Sequence, residues 1–104
     1  MDALYTQFDS VFFERTRLSI VTLLYREERS SFNRLKHALQ LTDGSASTHL
    51  KKLMDAGYVD SERTLAGERV QTWYSLTSHG LSVFRHYLAF LQSLAQEETD
   101  EEAP

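Results

Sequence analysis

The feature that most constrains this chain is a short polar break, Leu41-Thr42-Asp43-Gly44, set between two amphipathic stretches. Upstream, Phe32, Leu35 and Leu39 repeat at i, i+3 and i+7. Downstream, Ala46, Leu50, Leu53 and Met54 fall on one side when residues are placed about 100° apart. Ser30 or Ser31 is a suitable N-cap for the first helix and Thr42 or Asp43 for the second, because a side-chain oxygen can accept from the free amides of a first turn. Gly57 suits the left-handed residue just past the second helix, about residues 44–56. Two short helices joined by so tight a turn form a helix-turn-helix.

The segment after Gly57 narrows the fold further. Tyr58 to Thr64 and Val70 to Leu76 have strand character, and Leu65-Ala66-Gly67-Glu68 turns the chain between them. Thr77 or Ser78 then caps a long helix expected to reach about Gln96. Ahead of the break, Leu18, Val21, Leu24 and Tyr25 mark a helix over about Glu14 to Tyr25, and Leu4, Phe8, Val11 and Phe12 mark an N-terminal helix. The order is four helices, a hairpin and a helix. It predicts a mainly α fold with a small β-hairpin (α+β), a winged helix-turn-helix whose outer helices pair subunits.

Composition permits this without demanding it. The 104 residues are one domain's length, and 41% are hydrophobic. The net charge of −4 is unusual for a nucleic-acid binder, but Glu97, Glu98, Asp100, Glu101 and Glu102 supply a third of the acids. Residues 1–96, read as the folded unit, carry 11 bases against 10 acids; residues 97–104 read as an acidic, disordered tail. From Arg26 to Lys52, six bases face three acids, a mild basic bias. The chain contains no cysteine, so thiolate metal sites and thiol redox sensing are excluded. Runs such as Ile20 to Tyr25 are too short to span a bilayer, and the opening Met-Asp-Ala-Leu lacks a basic n-region. A cytoplasmic location is therefore expected.

A helix fits the major groove of B-DNA, and an adjacent β-ribbon can reach the flanking backbone or minor groove. On the second helix of the pair, Ser45, Thr48, Lys51, Lys52 and Asp55 lie opposite the apolar stripe, with Ser47 and His49 at the flanks. The hydroxyls can bond base edges or phosphates and the lysines can neutralise phosphates. In the hairpin, about residues 63–72, Arg63, Arg69 and Gln71 are the candidate contacts. Each residue alone fits an ordinary solvated surface equally well, and Arg69 could instead pair with Glu62 or Glu68. Trp73 and Tyr74 alternate, so one should join the core and the other cover the back of the sheet.

The segment from Leu41 to Val59 resembles the recognition helix and first wing strand of MarR- and ArsR-like transcriptional regulators. There a pattern like Ser-x-His-Leu-x-x-Leu-x-x-Ala-Gly-Leu-Val recurs, and Ser47, His49, Leu50, Leu53, Ala56, Gly57 and Val59 match it, with Tyr58 replacing an aliphatic. Leu76-Thr77-Ser78-His79-Gly80 is similar to the junction between wing and dimerisation helix, and Thr16 to Val21 to the first core helix. The resemblance spans about residues 10–92 and implies a dimeric DNA-binding regulator reading a pseudo-palindromic operator in double-stranded DNA, with an effector left open. Cysteine metal sites of the ArsR type cannot exist here. His79 and His86 alone do not converge enough ligands, so neither metal nor cofactor is expected.

The last helix is apolar on two stripes, Leu81, Phe84, Leu88, Leu91, Ala95 and Val83, Tyr87, Phe90, Leu94. Together they cover about 160°, more than the roughly 100° that a core-facing surface helix uses. The second stripe, with Leu4, Tyr5, Phe8 and Phe12, is therefore expected at a homodimer interface. The competing function is a winged helix that docks on protein and leaves DNA alone. Catalysis has no support: there is no phosphate-binding glycine loop, no His-Glu-x-x-His helix and no nucleophile with an evident base.

Overall fold

The computed structural model describes residues 9–102, with side chains through Gln96. Its elements are α1 (Arg15–Glu27), β1 (Ser30–Ser31), α2 (Phe32–Leu39), α3 (Asp43–Asp55), β2 (Val59–Ala66), β3 (Arg69–Leu76) and α4 (Ser78–Glu102). Each helix starts where a side chain meets its orphan amides. Glu14 accepts from the amides of Thr16 and Arg17, Ser31 from Arg34, Thr42 from Ser45 and Thr77 from Gly80. Of the paired candidates, Ser31, Thr42 and Thr77 are the caps.

The strands form one antiparallel sheet in the order β1-β3-β2. The hairpin matches the sequence expectation, but β1 does not appear in it; its two residues pair Ser30 with Tyr74 and Ser31 with Trp73. The hairpin is also longer than expected. Ala66 pairs with Arg69, so the loop shrinks to Gly67-Glu68, with Gly67 at φ +68° as a type II′ turn requires at its first position.

The core lies where α1, α2, α3, the inner ends of β2 and β3 and the start of α4 meet. Ile20, Val21, Leu24, Leu35, Leu50, Leu53 and Val59 are essentially inaccessible. Val11 and Phe12 belong to a turn over residues 10–13 rather than to a helix, because Asp9 ties the segment by accepting from Val11. That turn drives Phe12 into its own chain's core against Phe13, Tyr58 and Phe84. Phe12 is fully buried there, within its own chain. The expected positions of Leu4, Tyr5 and Phe8 lie outside the described residues.

Gly80 explains the junction between wing and last helix. A Cβ there would collide with the Tyr58 carbonyl oxygen, so only glycine lets α4 run this close to the start of β2. The Thr77 amide donates to that same carbonyl, and the Thr77 hydroxyl donates to the Gly57 carbonyl at 2.6 Å. Along α4, Phe84 is buried, and Val83, Tyr87 and Leu88 pack against the core. Farther out, Leu91 and Leu94 are 41% and 39% exposed. The helix continues to Glu102, past the expected end near Gln96, and the side chains of 97–104 lie outside the described residues. Among the described residues no helix is long and apolar enough to cross a membrane.

Candidate nucleic-acid interface

The turn between α2 and α3 is fixed from both sides. Gln40 takes a left-handed conformation (φ 54°), its amide reaching the carbonyls of Lys36 and His37, and the Leu41 amide also donates to Lys36. Lys36 then bridges to Asp43 at 2.7 Å across the turn. The second helix is thereby set at a defined angle to the first.

Ala46, Leu50 and Leu53 bury one face of α3. The opposite face exposes Gly44, Ser47, Thr48, Lys51, Lys52 and Asp55. Two of the expected contacts sit off its centre. Ser45 is half-buried beside the cap, where its amide donates to Thr42, and His49 is turned inward. Lys51 bridges to Asp55 one turn along, at 3.0 Å. Lys52 pairs with no carboxylate among the described residues.

His49 belongs to a polar cluster that sequence reasoning missed. Arg17 is 8% exposed; its Nε donates to the Val11 carbonyl and one terminal nitrogen donates to His49 Nδ1 at 3.0 Å. A guanidinium can only donate, so Nδ1 accepts and the imidazole proton sits on Nε2. Glu14 lies 3.8 Å from Arg17 and 3.6 Å from His49. Burial works to raise the Glu14 carboxyl, but the Thr16 and Arg17 amides and the nearby Arg17 guanidinium hold it below its ordinary value. One signal of the cluster is present in the sequence. Arg17 occupies the i position of the stripe Arg17, Ile20, Val21, Leu24, where a charge demands a partner.

The hairpin has two unlike faces, because facing alternates along a strand and registered partners share a side. One carries Ser61, Arg63 and Leu65 opposite Tyr74, Thr72 and Val70; the other carries Asp60, Glu62, Thr64 and Ala66 opposite Ser75, Trp73, Gln71 and Arg69. Tyr74 joins the core, as one of the two aromatics was expected to. Trp73 covers the back, donating to Thr64 at 3.0 Å beneath the Arg29 guanidinium, 4.2 Å from its ring centroid. Arg63 and Arg69 thus project from opposite faces, and neither forms an ion pair among the described residues.

His79 stacks on Tyr58 with ring centroids 5.0 Å apart. No group of three His, Asp or Glu side chains able to hold a metal ion occurs among the described residues.

Comparison with known proteins fits this geometry. The winged helix DNA-binding domain family matches residues 16–95. An uncharacterized protein of Methanocaldococcus jannaschii is 36% identical over 83% of this chain and 94% of its own length. A transcriptional regulator homologue from Pyrococcus horikoshii OT3 superposes with a TM-score of 0.80 at 23% identity, covering 93% of this chain and 97% of that one. A protein of Enterococcus faecalis V583 assigned to the MarR family of transcriptional regulators gives 0.73 at 19% identity, over 88% of this chain and 84% of that one. With its helix pair, its wing and a family match over most of its length, the chain belongs to the winged helix DNA-binding domain family.

Proposed function

We propose that the protein is a homodimeric transcriptional regulator that reads a specific double-stranded operator in the cytoplasm by binding rather than catalysis. The observation that carries this is the exposed α3 face of Gly44, Ser47, Thr48, Lys51 and Lys52, held opposite the buried Ala46, Leu50 and Leu53. Small residues allow close approach to base edges, hydroxyls can donate or accept there, and Lys52 is available to a phosphate. The wing stands beside this face to touch the flanking backbone or minor groove.

Dimerisation is assigned to the outer half of α4. Val83 and Tyr87 are engaged with their own core, Tyr87 edge-on to Phe13 at 4.9 Å. That leaves the exposed Leu91 and Leu94, beside the half-buried Phe90, for a second copy. A two-fold pair presents two α3 helices to half-sites about 34 Å apart.

Selection from a pool of random duplexes tests the reading. Enrichment of a pseudo-palindrome with half-sites one helical turn apart is expected. Recovery of no preferred duplex would contradict it and favour the winged helix as a protein-docking module.

A further inference from the structure

Leu65 and Val70 face each other across the wing tip and are 77% and 62% exposed, more than any other large hydrophobic residue among those described. The turn does not require them, since Gly67 supplies the needed conformation. Their face of the ribbon is free of carboxylates, its one formal charge being Arg63, whereas the reverse face carries Asp60 and Glu62 together with Arg69. It is also the face that runs inward through Tyr74, whose ring meets Phe32 of α2 at 6.5 Å. The apolar, cationic side of the wing is therefore a continuation of the face of the sheet that packs on the helix pair.

We infer that Leu65 and Val70 seat against the sugar walls of the minor groove beside the recognition site, with Arg63 as the wing's phosphate contact. Arg69 and Gln71 face away, beside Glu62 and Trp73. This deepens the DNA-binding reading and rests on it. Sugars present the apolar surface of a groove lined by phosphates, so a strip of two aliphatics and one cation complements it, while the reverse face offsets its cations with Asp60 and Glu62 and carries no such strip.

The test uses a duplex selected by the wild-type protein and titrates each variant at several salt concentrations. Leu65→Thr combined with Val70→Thr places β-branched side chains of high strand propensity on an exposed ribbon, so the fold is retained, as circular dichroism will check. Binding is expected to weaken roughly tenfold through lost apolar burial, with the salt slope unchanged. Arg63→Ala should flatten the slope by about one unit and Arg69→Ala should not. Unchanged affinity in the threonine pair, or a slope change confined to Arg69→Ala, overturns the inference. Loss of self-association in the threonine pair with DNA binding intact would also overturn it, assigning the strip to a second copy. A wild-type protein with no salt-dependent duplex binding would instead remove the functional reading on which this one stands.

Discussion

Arg17 donates to Nδ1 of His49 at 3.0 Å, tying the first turn of α1 to the middle of α3 across 32 positions of sequence. Helix α3 is therefore held by apolar packing on one side and by a charged cluster with Glu14 at its flank. Replacing Arg17 with Met keeps much of the volume but leaves the inward-facing His49 without its donor and Glu14 without its neighbouring cation. A loss of about 2 kcal/mol in urea unfolding is expected, the scale of a hydrogen bond to a charged group. A change within a few tenths would remove the cluster from the fold's support.

Gly80 and Gly44 should respond in opposite directions to alanine. At Gly80 the new methyl would collide with the Tyr58 carbonyl, so α4 must shift, at a cost of about 1–3 kcal/mol. At Gly44 nothing lies within 4 Å, and alanine should stabilise α3 by up to about 1 kcal/mol. Thermal unfolding of both variants checks the contrast.

Tyr58 donates to Asp9 at 2.7 Å, and burial together with that carboxylate pushes the phenol up to about 12. Its contribution to stability is full below the ordinary value of 10 and is lost as pH rises through about 12. The same hydrogen bond, with the Val11 amide, lowers Asp9, whose contribution is present above 3.8 and is lost as pH falls below it. Ultraviolet titration should find a tyrosine ionising late, and Asp9→Asn should move it toward 10. Titration unaffected by that change would mean the pair does not form.

Much of the fold is legible in the sequence because short-range chemistry announces it. Hydroxyl caps, the glycine turns and the apolar spacing of α1 to α3 each arise from local rules. The features that escape depend on distant partners. β1 is two serines whose only strand signal is their pairing with β3. Phe12 fits a helical stripe until the Asp9 turn redirects it. His49 fits an exposed flank until Arg17 captures it. The separation of Arg63 from Arg69 becomes visible only once the two-residue loop fixes the register.

Outward charge on the projecting half of α4 tests assembly. Leu91 and Leu94 are exposed in the single chain, so Leu91→Glu with Leu94→Glu should fold normally. In a dimer the same change would bury carboxylates without partners, a cost of several kcal/mol. Light scattering should therefore find a monomer at micromolar concentration, with operator affinity reduced by the loss of two-site engagement. A stable dimer would place the interface elsewhere.

The salt dependence of duplex binding by Lys52→Ala tests the central claim most directly. Lys52 lies on the exposed face of α3, away from the core and in no ion pair among the described residues. If that face sits in the major groove with Lys52 at a phosphate, the plot of log affinity against log salt should flatten by about one unit. Affinity at low salt should fall for every duplex sequence alike. Affinity and slope both equal to wild type would contradict the placement of α3 on DNA.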